Sequence, residues 1–342
     1  MVRFADRDAA ARVAPLRRHR LRVLVATLVA AAATGGVTGA LPPLAVDPAT
    51  SAQIEALDCN RVAASDVRDA LSQAPAPRIV ALQGSLAPVT MQPFGEFLVA
   101  MGYPAERVRN PRDGSFSYAS SGSADVLAGT LAWHYERDGA MPLLIGHSQG
   151  GMLAIRTLHA LAGAFAPSIP VWNPLTDEAE ARTTIVDPAS GHERPVVGLT
   201  VPYAAALATG VLPRLLLGQW AMIPLLRKVP DTVVEFTGFA IPWDPIAGNF
   251  ADPDSYVATG TAAVRNVLLP AAYSHIGLPR TAHLAGDRAM RAWVDDWTPA
   301  TDPSSLPTGA ETTNAIHAAD IWHSVKRHWC RDAQRRLRPD ER

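Results

Sequence analysis

The chain has 342 residues, 48% hydrophobic and 18% charged: ample material for a core, and not the composition of a disordered protein. Its formal charge of −1 gives no electrostatic footprint for nucleic acid. Residues 1–40 carry seven arginines against Asp6 and Asp8, a surplus of +5, so the remainder carries −6 and does not seek polyanions.

In chain order, the basic stretch Arg17-Arg18-His19-Arg20-Leu21-Arg22 precedes an apolar run, Val23 to Ala33, and then small residues. That is the layout of a secretory signal, with Thr38-Gly39-Ala40 as the cleavage site, so residues 1–40 are expected to be a signal peptide and residues 41–342 the mature, secreted or periplasmic domain. The rival reading is an N-terminal membrane anchor, because no charge occurs from Val23 through Val46. Against it stand Gly35, Gly36, Gly39, Pro42 and Pro43, which make a poor helix. In an oxidising compartment Cys59 and Cys330 are a disulfide candidate that ties the two ends of the mature chain together. No CxxC or Cys/His cluster suggests a metal, and no cofactor is implied.

Arg78 to Leu82 reads as a short buried strand closed by Gln83-Gly84. Pro93 to Met101 has helical spacing and stops at Gly102; Ser123 to Arg137 is a longer helix ending at Gly139. Pro142 to Ile145 is a second strand, followed by a helix over Met152 to Leu161. Ile169 to Trp172, Asp231 to Phe239 and Arg265 to Ala272 read as further strands, and Ala315 to Gln334 as a final amphipathic helix. Strands alternating with helices imply an α/β protein with a mostly parallel sheet covered on both faces. One stretch, about residues 174–230, breaks the alternation. It shows a hairpin, Thr183–Val186 against Pro195–Leu199 around the turn at Asp187 to Gly191, and then two apolar helical pieces, Tyr203–Leu212 and Pro213–Arg227. This is expected to be a lid or cap inserted above the sheet.

The chemistry is expected at Gly146-His147-Ser148-Gln149-Gly150. A nucleophile must stand clear of the backbone, and a sharp strand-to-helix turn achieves this by forcing the serine into strained φ/ψ. Strand and helix then nearly touch, so the positions two before and two after cannot carry a Cβ; Gly146 and Gly150 meet that need. The following helix aims its N-terminal N–H groups at the place where an oxyanion would form.

With this elbow, from about Arg78 to just beyond Ser274, the chain resembles the α/β-hydrolase superfamily, in particular its esterase and lipase branch. The resemblance implies an α/β-hydrolase fold and a triad in the chain order Ser, acid, His. The acid falls to Asp244, in the Asp-x-Ile loop past the Asp231–Phe239 strand, with Asp252 and Asp254 as rivals. The base falls to His275, after the last strand, with His283 as the alternative; His147 is read as shaping the elbow without titrating. The backbone N–H of Gln149 and that of Ser85 form the oxyanion hole. Here the sequence departs from the family, many members of which have His-Gly where this chain has Gln83-Gly84.

The implied reaction is hydrolysis of a carboxylic ester by Ser148, Asp244 and His275 through an acyl-enzyme. The apolar lid favours small-molecule or lipid esters and contact with a lipid surface. An acyltransferase with the same triad, and a non-catalytic binding protein of the same fold, remain as alternatives.

Overall fold

Five apolar runs form one parallel sheet: β1 (Ile79–Leu82), β2 (Leu143–His147), β3 (Val201–Leu207), β4 (Val233–Ala240) and β5 (Ala263–Leu268), lying side by side in that order. A computed structural model describes residues 46–85, 88–249 and 253–338; the expected signal segment and Asp252 lie outside them. Strands β1 and β2 are buried at every position, as continuous hydrophobic runs in a covered parallel sheet require.

Helices cover both faces. One face carries α2 (Gln92–Ala100), α5 (Arg288–Asp296) and the long α6 (Ala315–Leu337), with Phe94, Phe97, Trp322 and Trp329 in its core; the short α1 (Pro48–Ala56) packs on the end of α6. The other face carries α3 (Ala124–Asp138) and α4 (Gln149–Leu161), with Leu127, Leu131, Ile155 and Leu158 in its core. α3 begins at Ser123, whose side chain accepts from Asp125 N–H, and ends at Gly139 with φ 72°, a left-handed residue that glycine adopts without strain. Cys59 and Cys330 form a disulfide with 5.4 Å between their Cα atoms, fastening the loop after α1 to α6.

Two expectations are corrected. The run Tyr203–Leu212 is not a lid helix: Val201 to Leu207 is the middle strand of the sheet, and Tyr203 is wholly buried against the α6 face. A strand buried on both faces loses its alternation and cannot be told from a buried helix by periodicity. Ile169 to Trp172 is not a sheet strand either; Trp172–Asn173 makes only a two-residue antiparallel pairing with Glu178–Ala179. The hairpin is present, with Thr184–Val186 against Glu193–Pro195. The expected insertion is therefore divided by β3. Its first part lies between α4 and β3, and its second is the segment from Ala208 to Thr232 between β3 and β4.

Among the described residues no helix is long and apolar enough to cross a membrane.

Candidate active site

Because all five strands run parallel, their C-terminal ends share one edge, and the triad residues nominated from the sequence, Ser148, Asp244 and His275, each follow one of those ends. Gly84 and Ser85 follow β1, Ser148 follows β2, Thr209 follows β3, Asp244 follows β4 and His275 follows β5. In open α/β sheets this edge is where ligands bind.

Ser148 sits between β2 and α4 at φ 53° and ψ −111°, a conformation a side-chain-bearing residue adopts only when its surroundings impose it. The glycines show what imposes it. A Cβ on Gly146 would lie 2.4 Å from the backbone of Gly150, and one on Gly150 would lie 2.2 Å from the Leu82 carbonyl oxygen at the end of β1. The turn is thus clamped by the next helical turn and by the neighbouring strand. Ser148 N–H donates to Leu207 O (2.8 Å), and the Thr209 hydroxyl donates to Ser148 O (3.0 Å), so β3 holds the elbow from the other side.

Three residues far apart in the chain meet here. His275 Nδ1 lies 2.7 Å from Asp244 Oδ2, and His275 Nε2 lies 3.0 Å from Ser148 Oγ. Asp244 and His275 are buried. Burial raises the Asp244 carboxyl, but the hydrogen bond and charge of His275, with the N–H groups of Ala247 and Ile246 donating to Oδ1, outweigh it and hold the pKa below its ordinary value. An ionised Asp244 favours a proton on the facing Nδ1 of His275, which turns Nε2 toward Ser148 Oγ as acceptor.

The alternatives lie elsewhere. Asp254 is exposed, and the ion contact of His283 is with Glu311, 3.8 Å away. Asp187 caps its hairpin turn, accepting from Ala189 N–H and the Tyr135 hydroxyl.

His147 has a larger part than its motif position suggested. Its Nε2–H donates to the carbonyl oxygen of His275 (2.8 Å), which fixes the backbone of the base. Burial, followed by the nearby His275, takes its pKa down to about 3, so it stays neutral at any physiological pH. The Gly84-Ser85 turn lies against it: a Cβ on Gly84 would stand 3.1 Å from His147 Nδ1 and 3.5 Å from Ser148 Cβ. Gln83 is held by the Ser117 hydroxyl, which donates to its Oε1 (2.8 Å). Gln149 is the first residue of α4, where backbone N–H groups have no intrahelical acceptor. Its side chain accepts a hydrogen bond from Arg214, in the segment after β3. Sequence reasoning missed Thr209 and Arg214; neither stands in a motif, and only the fold brings them to the elbow.

Among the described residues no His, Cys, Asp and Glu grouping could hold a metal ion. No protein-family profile and no curated protein matches this chain. Among solved structures it is similar to one described as RedJ with a PEG molecule bound in the active site, at 15% identity and a TM-score of 0.27, over 63% of this chain and 90% of that one. A likeness that low carries no weight for function.

Proposed function

We propose that the protein is an exported serine hydrolase of the α/β-hydrolase superfamily that cleaves carboxylic esters. The observation that carries this reading is the continuous hydrogen-bonded chain from Ser148 Oγ through His275 to Asp244, on an elbow whose backbone strain exposes the serine. In the proposed reaction Ser148 Oγ bonds to the ester carbonyl carbon as its proton passes to His275 Nε2. The resulting oxyanion lies between the N–H groups of Gln149 and Ser85. His275 returns the proton to the departing alcohol, leaving an acyl-Ser148. Water, deprotonated by the same nitrogen, releases the acid and restores the serine.

An apolar ester is favoured by the surroundings. Leu212, Leu215, Leu216, Leu217 and Trp220 of the lid are exposed, as are Trp243 and Ile246 around the acid and Ile276 beside the base. All leave the C-terminal edge of the sheet, where an acyl chain or a lipid surface would cover them. Secretion is supported by the Cys59–Cys330 bridge, a feature of oxidising compartments. The test is hydrolysis of p-nitrophenyl esters of graded chain length by the mature protein. Turnover that rises from acetate to medium chains is the expected result; no turnover of any ester, with no labelling by a fluorophosphonate, would refute the reading.

A further inference from the structure

Two arginines of the segment after β3, Arg214 and Arg227, both act on Tyr256 electrostatically. Arg214 is 1% exposed, yet its guanidinium donates only to the neutral carboxamide oxygens of Gln149 and Gln219, and its Nε has no partner. Arg227 stacks on Tyr256 with 4.5 Å from Cζ to the ring centroid, and its Nε is also without a partner. Among the described residues neither arginine makes an ion pair. The buried Tyr256 hydroxyl lies within the field of both guanidinium groups and beside Arg227 and Thr209. Buried cations and donors are normally satisfied by protein partners. Two guanidinium groups, each with an unpartnered Nε and no ion pair among the described residues, call for an acceptor from outside.

A cavity of about 320 Å³ lies there, walled by Thr209, Arg227, Asn249, Tyr256 and Asn266, with the exposed Asp254 at its wall. Its wall is rigid. Tyr256 packs on Gly238, where a Cβ would lie 2.1 Å from the ring, and Asn266 bonds both the N–H and the carbonyl of Tyr256 at 2.8 and 3.0 Å. It also adjoins the reactive centre: Thr209 bonds the Ser148 carbonyl, and Asn249 N–H donates to Asp244 O (2.8 Å).

We infer that this cavity binds a small oxyanion, a carboxylate or phosphate group, with Arg227 and Tyr256 as its donors and Arg214 as a second positive charge behind them. The inference stands on the cavity alone and does not require the esterase reading. The anion is either the acidic end of an ester or a free ion, and both make the same contacts.

Calorimetric titration of the full chain with glutarate and with inorganic phosphate tests it. Saturable one-to-one binding is expected, weakened about tenfold or more by Arg227→Gln and less by Tyr256→Phe, since a charge-assisted bond is stronger than a neutral one. Arg227→Lys, which keeps the charge, should bind within a few-fold of wild type, and unchanged circular dichroism shows that each variant folds. Comparing turnover of 4-nitrophenyl hydrogen glutarate with 4-nitrophenyl valerate separates the sources. Preference for the charged ester, erased in Arg227→Gln, places the anion on the substrate; equal turnover with glutarate or phosphate still bound makes it a free ligand. Absence of saturable binding by either anion, or equal binding in Arg227→Gln, overturns the inference.

Discussion

The nucleophile elbow and the lid leave the same edge of the sheet and are built in opposite ways. From Leu143 to Leu161 only Ser148 and Arg156 escape burial: apolar side chains point in, and the one reactive hydroxyl stands out. From Val211 to Trp220 the order is reversed, with Arg214 the one buried residue and the leucines and Trp220 facing outward. The elbow is rigid because backbone touches backbone at Gly146 and Gly150, leaving no volume to yield. The lid has a helix of only five residues, Leu212–Leu216, ended by Gly218 at φ 68°. It is fastened at its far end, where Met222 and Leu226 enter the core and His159 Nε2–H donates to Lys228 O (2.9 Å). On the proposed function the contrast is a division of labour: catalytic geometry requires an element that cannot move, whereas an element that meets a variable apolar partner must present its side chains.

The sharpest way to break this comparison is at the elbow itself. Ser148→Ala should lower ester hydrolysis by about 10⁴-fold or more and abolish fluorophosphonate labelling, with folding unchanged by circular dichroism. Normal labelling of that variant would remove Ser148 from the reaction. The partners come next. His275→Ala should lose nearly as much, and adding Asp244→Asn should cost almost nothing further, because residues acting as one unit are not additive. Losses that multiply in the double variant, measured as kcat/KM, would separate the acid from the base and return attention to Asp252 or Asp254.

A smaller effect is expected at the covalent tie. Replacing Cys59 and Cys330 by serine should lower unfolding free energy by roughly 5 kcal/mol, the loop-entropy value for so long a closed loop, while kcat in the folded fraction is retained. Urea titration measures the first and single-turnover kinetics the second; a loss of kcat without a loss of stability would place the bridge in the site. The smallest effect belongs to the lid. Each methylene buried against it is worth about 0.8 kcal/mol, roughly fourfold in kcat/KM. Leu216→Ser or Trp220→Ser should flatten the chain-length dependence and leave acetate turnover and melting temperature close to wild type, since Leu216 is 81% and Trp220 63% exposed. A fall in melting temperature with chain-length preference intact would make the lid a structural element like the elbow.

The parts of this protein written in its sequence are those with local causes. The Gly146–Gly150 spacing marks the elbow because two missing Cβ atoms are a condition of the turn itself. β1, β2, β4 and β5, and helices α2 to α4 and α6, were legible from short apolar runs, helical spacing and Gly stops. Asp244 and His275 could be nominated only because the α/β-hydrolase resemblance implies an acid after a late strand and a histidine after the last one. What only the tertiary structure decided is whatever depends on neighbours remote in the chain. Val201 to Leu207 is a strand because β2 and β4 flank it on both sides; alone, the same apolar run fits a helix equally well. Thr209 reaches Ser148, His147 holds the backbone of His275, and Arg214 lies buried against Gln149, all because parallel strands end together at one edge. No local pattern encodes those meetings. They follow from strand order, which is set by packing of the whole sheet.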